Sequence, residues 1–121
     1  MDKNQNFSKS LKIAVFGLKS AFKEEKNFRA QFTIAVIVVF FIFLLKLNSV
    51  ESSIIVLTIL VVLSLELINS QIEKFLDIIQ PDHHPRVKII KDFTAGAVLL
   101  SVIGSVVIGL LIFWPHIVKY I

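Results

Sequence analysis

Apolar and polar positions along the chain first recur with a helical period and then separate into long blocks. From Phe7 to about Phe28, Leu11, Val15, Leu18 and Phe22 repeat at spacings of four, three and four, while Lys12, Lys19, Lys23 and Lys26 form a stripe on another side. This pattern predicts an amphipathic helix over 7–28 with a basic face, suited to the interface of a membrane with anionic headgroups. The polar residues 1–6 before it are expected to fray. Three apolar blocks follow at 30–47, 54–75 and 93–114, each near the roughly 20 residues that a bilayer crossing needs. A short polar turn, Asn48–Ser53, divides the first two blocks, and a polar loop with Pro81 and Pro85 divides the last two. Pro115 is expected to end the third. The expected fold is therefore all-α and integral to the membrane: one domain over 1–121, with an interfacial helix and three transmembrane helices.

Composition supports that reading. The chain has 121 residues, 55% of them hydrophobic, including eleven phenylalanines, and its mean hydropathy is +0.80. So short a globule cannot hide that much apolar surface from water. There is no cysteine, which excludes disulfides, thiolate metal sites and cysteine nucleophiles. The first apolar block follows an amphipathic segment and has no small-residue cleavage motif after it, so a removable signal peptide is not expected.

Charge adds an orientation. The segment before the first block holds Lys3, Lys9, Lys12, Lys19, Lys23, Lys26 and Arg29, and the turn after it only Lys46. The second loop holds Lys74, Arg86, Lys88 and Lys91, and the carboxyl end only Lys119. The bias of basic residues toward the cytoplasm places the amino terminus and second loop inside, and the first turn and carboxyl terminus outside. The net charge of +4 is thus read as membrane topology, and no nucleic-acid partner is expected.

The third block carries Ala97, Ser101, Ser105 and Gly109 at every fourth position, a small-residue face that lets membrane helices approach closely. It serves packing within one protomer or between subunits. Three helices enclose a polar site poorly, which favours self-association.

Candidate chemistry sits at one end of the second block. Helical residues advance by about 100°, so Glu66, Ser70, Glu73 and Asp77 fall within roughly 60° of arc, with Asn69 at its edge. Glu66 is deeper in the bilayer than Glu73, where an ionised carboxylate costs at least ~2.5–3.5 kcal/mol. A metal, a basic partner, an aqueous cleft or a proton has to offset that cost. The topology brings Glu25, Lys91 and Asp92 to the same depth from two other segments. Carboxylates with a lysine suit phosphoryl transfer from a magnesium-bound nucleotide, and a deep carboxylate suits proton abstraction from an alcohol. No Walker loop or soluble-kinase motif occurs. Two other classes remain open on the residues alone: a proton or ion relay through Glu66, and a scaffold whose polar groups fix helix register. The apolar far half of every block argues against the relay. The scaffold leaves the convergence of Glu25, Lys91 and Asp92 without a reason.

Nearly the whole chain resembles the prokaryotic diacylglycerol kinases, small trimeric membrane kinases that include undecaprenol kinases. The likeness runs through A-x-x-G-L-K-x-A-F-K-E-E-K-N-F-R at Ala14–Arg29, E-L-I-N-S-Q-I-E-K-F-L-D at Glu66–Asp77, His84-Pro85, and K-D-x-x-A-G-A-V at Lys91–Val98. The resemblance implies a homotrimer in the bacterial inner membrane that phosphorylates a lipid alcohol, diacylglycerol or undecaprenol, from ATP with Mg2+. It implies Glu66 as catalytic base, and Glu25 and Glu73 as ligands of the divalent metal on the nucleotide. Lys91 and Asp92 would contact the nucleotide, Asp82, His83 and His84 would lie against it, and Asn69, with Ser70 and Asp77, would support the cluster. Gln71 departs from the family, which usually has a small residue there. It lies about 140° from Glu66 around the helix, so the departure bears on helix packing and substrate preference more than on the carboxylates.

Overall fold

The computed structural model describes residues 3–121, which form four helices in sequence: α1 (Lys3–Glu24), α2 (Lys26–Leu44), α3 (Ser49–Ile79) and α4 (Pro85–Val118). The amino-terminal stretch expected to fray is helical from Lys3, and residues 1 and 2 lie outside the described residues. The last three helices are long and apolar enough to cross a membrane. At about 1.5 Å per residue the 31 residues of α3 extend ~46 Å, well beyond the ~30 Å of bilayer hydrocarbon. Its surplus turns carry Glu73 and Asp77, with Glu66 deeper along the helix.

Each helix boundary has a local cause. The break between α1 and α2 falls at Glu25, in extended conformation (φ −101°, ψ 107°), so Lys26–Phe28 continue into α2 rather than closing the amphipathic helix. Arg29 Nη1 donates to the carbonyls of Phe22 (3.1 Å) and Lys23 (2.7 Å), meeting acceptors that the end of α1 leaves open. At the end of α2 the Leu47 amide bonds the Ile42 carbonyl and the Lys46 amide bonds that of Phe43. Lys46 takes the left-handed position (φ 55°) that glycine usually fills in this motif.

The turn ends at Asn48, whose side chain accepts from the Glu51 amide at 2.8 Å while Glu51 Oε1 accepts from the Asn48 amide at 3.3 Å. This reciprocal cap starts α3, so Ser49–Ser53 belong to the helix and not to the turn. Pro85 opens α4 as its first residue, where its missing N–H costs nothing. Pro115 does not end α4, contrary to expectation: the helix continues to Val118. Only the Leu111 carbonyl loses its donor there, near the helix end, which the last turn tolerates.

α3 and α4 pack along each other most extensively, α2 lies against α3, and α1 rests on α2. Few apolar side chains are buried: Ala21, Phe28, Ala35, Ile42, Ile55 and Leu76. α4 buries none, and Phe43 and Leu100 are 77% and 73% exposed. A chain with its apolar surface outward needs lipid or further copies around it.

Candidate functional site at the hinge end of the helices

Against that exposed apolar surface, the buried polar residues of α3 stand apart. Glu66, Asn69 and Ser70 are only 5%, 8% and 6% exposed, all on the arc of α3 that helical spacing indicated. Burying a carboxylate is expensive unless partners meet it. Asn27 and Gln31, one turn apart on α2, bring their amide side chains to Glu66, and Glu73 and Glu25 are its charged neighbours. Asn69 Nδ2 donates to Glu73 Oε1 at 3.4 Å, and the Ser70 hydroxyl donates to the Leu67 carbonyl at 2.9 Å. Gln71 is exposed and places Nε2 3.5 Å from Ser70 Oγ.

Glu25 reaches the site from the hinge. Its side chain is 17% exposed, and Oε1 lies 2.5 Å from Lys74 Nζ. Glu24 Oε2 is 3.7 Å from the same ammonium. Glu25 Oε1 has no aligned hydrogen-bond donor, so charge attraction rather than a directed bond holds this contact. Asn69 Oδ1 and Gln31 Oε1 are also buried without a partner. Native proteins leave few such atoms unmet, and those they leave call for an explanation.

The remaining expected residues are placed unequally. Lys91 comes to the cluster's edge, where its ammonium bonds Asp77 Oδ1 at 2.5 Å and ties α4 to α3. Asp92 is turned to Lys88 on its own helix, 2.8 Å away. Asp82, His83 and His84 are exposed in the loop between α3 and α4. His84 has a structural task as well, its Nδ1 accepting from the Arg86 amide at 3.1 Å to cap α4. Among the described residues no three histidine or acidic side chains gather into a ready metal cage. Magnesium is usually held by one or two carboxylates together with phosphate oxygens and water. Glu25 and Glu73 supply hard oxygen donors of that type, with Glu25 Oε1 held by the Lys74 ammonium.

Three residues escaped the sequence reading. Gln31 gave a signal, being polar inside an apolar block, with Asn27 one turn before it. Lys74 gave a fainter one: it follows Glu73 and lies about 80° from Glu66 around the helix, on the flank of the acidic face.

A groove of about 570 Å³ runs between α2, α3 and α4 beyond the cluster, from Gln31 past Thr58 and Ser105 to Phe113. Gly109 lines it, and a Cβ added there would meet nothing within 4 Å.

A buried acid among polar helix ends, on a chain with three apolar helices, defines a membrane protein with a polar site at one end. Residues 12–113 match the model of the prokaryotic diacylglycerol kinase family, and the chain belongs to that family. It is a multi-pass bacterial membrane protein. It is 41% identical over 109 residues to the undecaprenol kinase of Bacillus subtilis, covering 90% of this chain and 89% of that one. It is 35% identical to the diacylglycerol kinase of a Synechocystis species, covering 86% of this chain and 60% of the relative. With the diacylglycerol kinase of Haemophilus influenzae the identity is 34%, over 86% of this chain and 90% of the other.

Proposed function

We propose that this membrane lipid kinase transfers the γ-phosphoryl group of ATP to the hydroxyl of a lipid alcohol at the hinge end, with Glu66 as the general base. The observation that carries the proposal is Glu66 itself: a carboxylate 5% exposed, at membrane depth, flanked by Asn27, Gln31, Glu25 and Glu73. A cytosolic nucleotide and a membrane alcohol meet only near such a boundary, and the proposed orientation has the amino terminus and the α3–α4 loop on the cytoplasmic side of the bacterial inner membrane.

In this mechanism Glu66 takes the proton of the lipid hydroxyl as that oxygen bonds to the γ-phosphorus and the bond to the β-γ bridging oxygen breaks, releasing ADP. Lys91 leaves Asp77 to meet phosphate charge. Asp92, Asp82, His83 and His84 lie along the nucleotide, while Asn69 keeps Glu73 in place and Ser70 and Asp77 support the face. Glu25 and Glu73 would hold a Mg2+ ion, which shields the negative charge of the phosphates. Self-association as a homotrimer belongs to the proposal too. The groove lined by Ser105 and Gly109 is a surface that a second copy would fill.

Undecaprenol is the acceptor we favour over diacylglycerol, on the higher identity to the Bacillus subtilis kinase. A relay through Glu66 or a non-catalytic scaffold gains no support from the family. The test supplies purified protein in mixed micelles with labelled ATP and Mg2+, and with undecaprenol or diacylglycerol in parallel. Labelled undecaprenyl phosphate is the expected main product. Absence of labelled lipid from both alcohols, with the fold and oligomer verified, sinks the kinase mechanism.

A further inference from the structure

Lys91 is the lysine that the resemblance placed on the nucleotide, yet another lysine stands among the carboxylates. Lys74 Nζ is 2.5 Å from Glu25 Oε1 and 3.7 Å from Glu24 Oε2. Glu25 is mostly shielded from water, and its inner oxygen has no aligned donor. Lys74 therefore supplies the compensating charge that a partly buried carboxylate needs. It does so across a gap between elements, from α3 to the α1–α2 hinge.

We propose that Lys74 is a tethered stand-in for the divalent metal: it neutralises Glu25 while the site is empty and is displaced when the metal binds. This rests on the proposed role of Glu25 as a metal ligand. One carboxylate oxygen does not serve both cations at once. A magnesium ion sits at about 2.0–2.1 Å from its oxygen, and an ammonium 2.5 Å from that oxygen would be pressed against it with like charge. Binding at Glu25 and the Lys74 contact are thus alternatives. Lys74 is a positioning residue in this scheme: it holds the hinge carboxylate aimed into the site and limits metal uptake by the empty enzyme. The side chain is 48% exposed, so it has room to swing toward solvent without unpacking the helix.

The energetic consequence is a weakened apparent metal affinity. When only a fraction of molecules has Glu25 free, apparent affinity falls by that fraction. A half-exposed pair of this kind is expected to cost roughly three- to tenfold in affinity.

The experiment titrates the full-length chain in micelles with Mn2+ alone, reading free Mn2+ by its paramagnetic resonance signal. Lys74→Met and Lys74→Gln should each bind Mn2+ roughly three- to tenfold more tightly than the wild type, and Lys74→Arg should stay within about twofold. Two controls separate the explanations. Lys26, one residue beyond Glu25, forms no ion pair among the described residues, so Lys26→Met measures the bare loss of a nearby positive charge. Glu25→Gln measures whether Glu25 is a ligand at all. If Glu25→Gln weakens Mn2+ binding while both neutral Lys74 variants bind like the wild type or more weakly, the stand-in role is wrong and the ligand role stands. Equal tightening by Lys26→Met reduces the effect to general electrostatics and overturns the inference. Unchanged binding by Glu25→Gln removes the metal role of Glu25 and the inference with it.

Discussion

The two ends of the helical bundle solve the same problem in opposite ways. At the end that holds Asn48 and the carboxyl terminus, polar groups are matched to partners. Asn48 and Glu51 cap each other, and His116 Nε2 lies 3.1 and 3.2 Å from the two oxygens of Glu51, pinning α4 to the start of α3. At the hinge end, Glu66, Asn69 and Ser70 are buried, Gln31 Oε1 and Asn69 Oδ1 have no bonded partner, and Glu25 Oε1 meets only the ammonium of Lys74. The first arrangement spends its polar groups on joining helices. The second keeps hydrogen-bonding and charge capacity in reserve, as a site does when its ligand is to complete it. Substitutions at the two ends should therefore fail differently, with activity lost at one and stability at the other.

The largest effect is expected at Glu66. Glu66→Gln keeps the volume and polarity of the side chain but removes the base, so turnover should fall by about 10²–10⁴. ATP binding, measured separately by equilibrium dialysis, should be nearly unchanged. Near-normal turnover in this variant excludes Glu66 as the base. A smaller effect is expected at the lysine on the rim. Lys91→Met removes a phosphate contact and should raise KM for ATP about tenfold, the loss of one charge-assisted bond of ~1.5 kcal/mol or more. Asp77→Asn frees Lys91 from its partner without removing it, and KM should move by no more than about twofold, since exposed pairs contribute little.

The difference between the ends was also a difference in legibility. The hinge-end acids were readable because ionisable residues in a long apolar helix have few structural uses, and helical spacing puts Glu66, Ser70 and Glu73 on one face. The partners of those acids were not readable. Whether Lys74 reaches Glu25 or Lys91 reaches Asp77 depends on helix packing and on the single extended residue at the hinge, and neither has a period. The other end was overlooked for a related reason. Glu51 and His116 are 65 residues apart, and each looks like an ordinary solvated helix end until α3 and α4 are laid side by side. Pro115 misled because a proline near the end of a helix removes one bond without stopping the chain from completing its last turn.

The smallest predicted effect tests the other half of the comparison. Glu51 precedes the apolar run that begins at Ile54, so it titrates outside the membrane core. The His116 hydrogen bond holds its carboxyl below the usual range. Partial burial opposes that shift, while the Asn48 amide and the charges of His116 and Lys119 reinforce it. A carboxylate whose folded value is depressed contributes stability above its unfolded value, and that contribution is lost as pH falls through the folded value. The wild type should accordingly melt above Glu51→Gln at neutral pH, and the gap should close as the buffer is taken down through the carboxylate range. Turnover at neutral pH and moderate temperature should be nearly equal in the two proteins. A melting gap that stays constant with pH would mean that the shape of Glu51, and not its charge, joins the helices.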